Sequence, residues 1–187
     1  SLSNLATNSS TTSVYALFNS GSVSNPSGNI KLTANSVSTH THTSANGSYY
    51  GIYNSGSSAG ALYFNDNVFT NAAITATAGN RFILYTTGNV NSNLSFTNNL
   101  IASTTVSTNS GGGFYGMYNS GVCQGSLNLS SNDLNSNILE TASGPTYLIA
   151  NTASVSSGIV MDNNSINGYT NSIGASGDLY GIVNTGS

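Results

Sequence analysis

One short phrase returns six times along this chain. It reads aromatic, small or aliphatic, aliphatic, aromatic, Asn, Ser or Thr, Gly, with minor variation. The copies are Tyr15–Gly21, Tyr50–Gly56, Phe82–Gly88, Tyr115–Gly121, Tyr147–Ala153 and Tyr180–Gly186. The aligned residues Asn19, Asn54, Thr86, Asn119, Asn151 and Asn184 are separated by 35, 32, 33, 32 and 33 positions. A period held this closely means that each repeat is one structural rung stacked on the next. The first constraint on function is therefore that this chain presents stacked columns of side chains.

A second landmark lies between the copies of the first. It comprises Ile30–Asn35, Leu62–Asn67, Leu94–Asn99, Leu127–Asn132 and Ile159–Asn164. Apolar residues stand five and three positions before each closing Asn, the alternation of a strand with one buried face. Two residues after the Asn comes another apolar residue: Val37, Phe69, Ile101, Leu134 or Ile166. Asn4, 31 residues before Asn35, is expected to join the same Asn column. The first landmark also reads as a strand. Alternation puts its leading aromatic (Tyr15, Tyr50, Phe82, Tyr115, Tyr147, Tyr180) inward together with the residue two later. A third, looser strand is expected through Ser36–Thr43, Val68–Thr77, Leu100–Thr108, Leu134–Thr141 and Ser165–Ile173. No helical periodicity is present.

The predicted fold is all-β: a right-handed parallel β-helix of five to six coils of ~33 residues, with three short strands per coil. Residues 1–187 form one segment of it. The first coil carries three extra residues in Ser22–Asn29, around Pro26. A turn tolerates such an insertion because the strands keep their stacking register.

Composition narrows the function. Charged residues make up only 4% of the chain, against ~25% in an average soluble domain. Lys31 and Arg81 are the only cations. That is too few for a phosphate backbone, so nucleic acid is excluded as a partner. No apolar run approaches the ~20 residues of a membrane span. Cys123 is the only cysteine, so no internal disulfide can form; it is expected to pack as a small apolar residue at a bend. The chain opens on Ser with no visible leader and reads as a piece of something longer.

Asn35, Asn67, Asn99, Asn132 and Asn164 admit two readings. They could be a buried amide ladder, each side chain bonded to the next. They could equally be turn residues chosen for positive φ.

The pattern of an aliphatic, a spacer, an apolar residue, two spacers, Asn, a spacer and an aliphatic, as in Asn93–Ile101 and Gly158–Ile166, resembles the right-handed parallel β-helix repeat of the pectin-lyase-like superfamily. Together with Tyr-Gly-Ile-Tyr-Asn-Ser-Gly it is similar to the Asn/Ser/Thr-rich arrays of large secreted bacterial surface proteins. The resemblance covers nearly the whole chain. It implies the fold and an extracellular or cell-surface location, but it does not choose a function, because that superfamily holds lyases, hydrolases, tailspikes, adhesins and stalks.

Chemistry is hard to place on this repeat. Asp66, Asp133, Glu140, Asp162 and Asp178 fall in different columns or on distant coils. None is set as the ~5–9.5 Å carboxyl pair of a glycosidase, and no cofactor or metal is expected. His40 and His42 share one face of a strand, but in a single coil and without a third ligand, so an exposed polar strand is expected there. Thr41, Thr43, Thr75, Thr77 and Thr105 hint at a flat ice-binding face that Glu140, Ile173 and Gly174 interrupt. The column Phe18, Tyr53, Tyr85, Tyr118 is expected to face outward as a strip ~15 Å long. The expected function is a structural repeat (stalk, adhesin shaft or filament subunit) without catalytic activity, with self-stacking as its association. The alternative is a module that grips surface polysaccharide through the tyrosine column.

Overall fold

The computed structural model describes residues 1–9, 11–108, 111–141, 143–171 and 177–187. Among these every regular element is a strand. The strands assemble into four all-parallel sheets, three of six strands and one of five, with each strand paired to its equivalents in the neighbouring coils. The result is a β-solenoid of about five turns. Register follows the repeat: Val37 pairs with Phe69, Phe69 with Ile101, Ile101 with Leu134 and Leu134 with Ile166.

One coil shows the plan. The strand Leu94–Thr97 is followed by Leu100–Ala102, Thr105–Thr108 and Phe114–Asn119. Three strands per coil are expected from the sequence; four are present, because the looser third strand is two. A residue with positive φ separates them in every coil: Asn4, Thr39, Asn71, Ser103, Ser136 and Gly168. Asn4 therefore stands in this corner column, since Ser3 pairs with Ser38, and not in the column of Asn35. A second left-handed corner precedes each ladder Asn, at Ala34, Asp66, Asn98, Ser131 and Asn163. Short polar residues fill most of these positions because they tolerate the left-handed region better than other side chains.

The interior is filled by the predicted apolar columns. Leu62, Phe64, Leu94, Phe96, Leu127 and Leu129 are buried, as are Phe69, Ile101 and Leu134, and the Phe64 and Phe96 rings stack at 4.6 Å. Cys123 is buried in a column with Val23, Ser58, Val90 and Val155 at the bend before the next strand. The insertion in the first coil is confined to the turn between Val23 and Ile30, where Ser27 N donates to Asn25 Oδ1 and Gly28 N to the Asn25 carbonyl.

Candidate functional site

The sheet that carries the repeated phrase departs from simple alternation. In Tyr49–Asn54 and in Phe114–Asn119 the first, third, fourth and sixth residues are buried and the second and fifth are partly exposed. Tyr50 pairs with Phe82 and Ile52 with Leu84, and the ladder skips the residue between them. That residue lies inward: Ile83 and Leu148 are buried, and they alternate with Gly51 and Gly116. A Cβ on Gly51 would stand 2.6 Å from the Ile83 carbonyl oxygen, and one on Gly116 2.5 Å from that of Leu148. The leading aromatics, expected inward, are thereby turned out. Two consecutive residues take the inward face, so the side chains three apart both point outward.

The outcome is a double file of ten rings on one outer face. Tyr15, Tyr50, Phe82, Tyr115, Tyr147 and Tyr180 stack with successive centroid separations of 4.7, 5.2, 4.5, 5.4 and 4.8 Å. Phe18, Tyr53, Tyr85 and Tyr118 stack beside them at 5.3, 5.1 and 5.3 Å. The files touch each other, with Phe82 4.3 Å from Tyr85. The hydroxyls of Tyr53, Tyr85 and Tyr118 bond to Thr87, Ser120 and Thr152 of the following coil. Most ring faces are thus covered by other rings and only their edges meet solvent. Tyr15 and Phe18, in the first coil, are 41% and 48% exposed. A saccharide that stacks on aromatic faces finds few of them free along this strip. Burial pushes the Tyr115 phenol up to about 12, with neighbouring Tyr118, Tyr147 and Tyr85 adding to the shift.

Inside the coil run two side-chain ladders. Asn35, Asn67, Asn99 and Asn132 each donate Nδ2 to Oδ1 of the next Asn, at 3.1, 3.1, 2.9 and 3.0 Å, ending on Asn164. The same oxygens accept the backbone N–H of the preceding Asn, and Nδ2 also reaches a carbonyl, as Asn99 does to Phe64 at 2.7 Å. The Asn of the repeated phrase makes a second ladder that sequence reasoning missed. Asn19 donates to Asn54, Asn54 to Thr86, Asn119 to Asn151 and Asn151 to Asn184. Its signal was available: the column is Asn in every coil but one, and there the replacement Thr keeps a hydroxyl.

The histidines are not on an exposed strand. His40 and His42 are buried, and Tyr49 packs on both. Desolvation lowers the His42 pKa to about 4, with His40 and Arg81 adding to the shift. Arg81 is fully buried as well. Its pKa falls to about 10 by desolvation. The sequence signal for its burial is its column: Val14, Tyr49 and Phe114 occupy the same position in other coils.

The acids remain dispersed, and no group of three His, Cys, Asp or Glu among the described residues could hold a metal ion. An open groove of about 280 Å³ lies over Asn29, Lys31, Thr33, Tyr63, Asn65 and Asp66, outside the coil. Ile173 and Gly174, expected to interrupt a threonine face, lie outside the described residues. No described helix is long and apolar enough to cross a membrane. The chain matches no protein-family model, no curated protein and no solved structure.

Proposed function

We propose that this chain is a structural segment of an extracellular protein, a right-handed β-helical shaft of the pectin-lyase-like kind, acting as stalk, adhesin shaft or filament subunit. The observation that carries the reading is that the most repeated polar and aromatic side chains bond to their own equivalents in the next coil. The asparagines hydrogen-bond along the axis, and the tyrosines cover one another's faces. Side chains spent on coil-to-coil contact make a stiff rod rather than a reaction centre. The same columns could accept a further coil of like sequence, which is the basis for self-association by stacking.

Electron microscopy of the protein in its native setting tests this. Rods or filaments of constant width, with a layer line near ~4.8 Å, are expected. Compact particles that retain polysaccharide, and lose it on Tyr53→Ala with Tyr85→Ala while keeping the β-rich circular dichroism of wild type, would replace the shaft with the glycan-binding reading.

A further inference from the structure

Where the strand Thr41–Ser44 turns into Tyr49–Asn54, four polar side chains enter the coil: His40, His42, Tyr49 and Arg81. None is more than 1% exposed. The Tyr49 ring lies 5.1 Å from His40 and 5.3 Å from His42. Arg81 stands in register with Tyr49 one coil further on. Its guanidinium is admitted by a glycine corner, because a Cβ on Gly112 would collide with Nη1.

This corner holds polar atoms that the described residues do not satisfy. Both ring nitrogens of His40, Nε2 of His42, the Tyr49 hydroxyl and all three guanidinium nitrogens have no hydrogen-bond partner. His42 Nδ1 is paired with Thr7 Oγ1 at 2.9 Å. If the threonine hydroxyl donates, His42 is the tautomer with its proton on Nε2, and that N–H is turned loose as a donor.

The chemistry of the set decides what it would take. A guanidinium offers five N–H donors and no acceptor, the phenol and the neutral His40 ring each add one donor and one acceptor, and His42 Nε2–H adds a donor, so donors far outnumber acceptors. The charge is that of one buried cation, and burying a cation without a counter-charge is costly. A metal ion would meet like charge. A water would satisfy a donor or two and leave the charge uncompensated. We propose that this corner binds a small monovalent inorganic anion of chloride size, held by the Arg81 guanidinium with the Tyr49 hydroxyl and His42 Nε2–H as flanking donors. The anion locks the second coil to the third from inside, where elsewhere apolar side chains do so.

Crystals of the intact chain soaked in sodium bromide are expected to show an anomalous peak between Arg81 and Tyr49. Thermal unfolding supplies an independent readout. As chloride replaces gluconate at constant ionic strength, the wild-type midpoint should rise. A chloride concentration about a hundredfold above the dissociation constant favours the folded state roughly a hundredfold. Arg81→Leu should abolish that chloride response; Val14 and Phe114 in the same column show that an apolar side chain suits the position. Water alone in the corner, bromide only on the outer surface, or an equal chloride response in Arg81→Leu and wild type overturns the proposal.

Discussion

Ala34 and Thr39 hold the left-handed backbone, at φ 54° and 53°, where neighbouring coils place Asp66, Asn98 and Asn163, or Asn71 and Ser136. A Cβ in that region costs roughly 1–2 kcal/mol, and Gly or Asn relieves part of it. Ala34→Asn or Ala34→Gly is therefore expected to stabilise the fold by roughly 0.5–1 kcal/mol, read as a higher midpoint in urea. The ladder residue Asn99 works in the opposite sense. It donates to Phe64 O and Asn132 Oδ1 and accepts from Asn67 N and Nδ2 while 1% exposed. Truncation strands partners on both neighbouring coils, and Asn99→Ala is expected to cost about 3 kcal/mol by equilibrium denaturation. A cost under about 0.5 kcal/mol would assign this Asn to its turn rather than to the ladder. The column was legible because a buried amide recurring at one spacing needs a partner at that spacing. The polar corner at Arg81 was legible only in part: its column mates Val14, Tyr49 and Phe114 mark the position as inward, but nothing in the sequence shows that His40, His42 and the corner at Gly112 meet there.

The strands that carry the tyrosines show where alternation stops describing an element. Period 2 assumes a flat strand, and the strand Tyr49–Asn54 gives two adjacent residues, Gly51 and Ile52, to the interior. The small residue is what allows it: Gly51 and Gly116 sit where Ile83 and Leu148 of the next coil press inward. Both aromatic positions of the phrase consequently share the outer face, and the expected single strip of rings is a double one. Its packing has a consequence in alkali. The Tyr115 phenol sits near 12 in the folded chain against 10.0 for the free group, first through burial and then through Tyr118, Tyr147 and Tyr85. Tyr50 and Tyr85 shift in the same direction, first through burial. A folded state that keeps protons the unfolded state has lost is destabilised as pH rises. Stability should thus be level from about pH 7 to 10, fall between 10 and 12 as the phenols ionise, and fall also below 6.5, where the unfolded chain protonates a His42 that the folded chain holds near 4. Tyrosinate absorbance should lag that of free tyrosine until the strands melt; ionisation of all phenols as free tyrosine with the β-signal intact would show that the rings do not shield one another.

At the scale of the whole molecule the coil, not the strand, is the unit that can be added or removed. Each coil touches its neighbours through four parallel strands, two polar ladders and a file of rings. Stability in such a stack is approximately a sum over coils and interfaces, so loss of a complete coil removes one increment and leaves the rest in register. Ile101 pairs with Leu134, so residues 101–133 make one coil of 33 residues. Their excision joins Leu100 to Leu134. It brings Asn99 against Asn164, Phe82 against Tyr147 and Thr86 against Asn151, so the first Asn ladder and one ring file stay continuous, while Ile83 meets Leu148 without Gly116 between them, which adds to the loss of stability. The shortened chain is expected to fold with the same β-rich circular dichroism, a lower midpoint and a rod about 5 Å shorter. Removing only residues 101–116 shifts every later column by half a coil. It sets polar outer faces against apolar inner ones, and no cooperative unfolding transition should remain. The opposite ranking, with the half-coil deletion as stable as the full one, would mean that column register is not what holds the coils together. That result would undercut the shaft as well, because a rod that transmits load along its axis depends on the same coil-to-coil match.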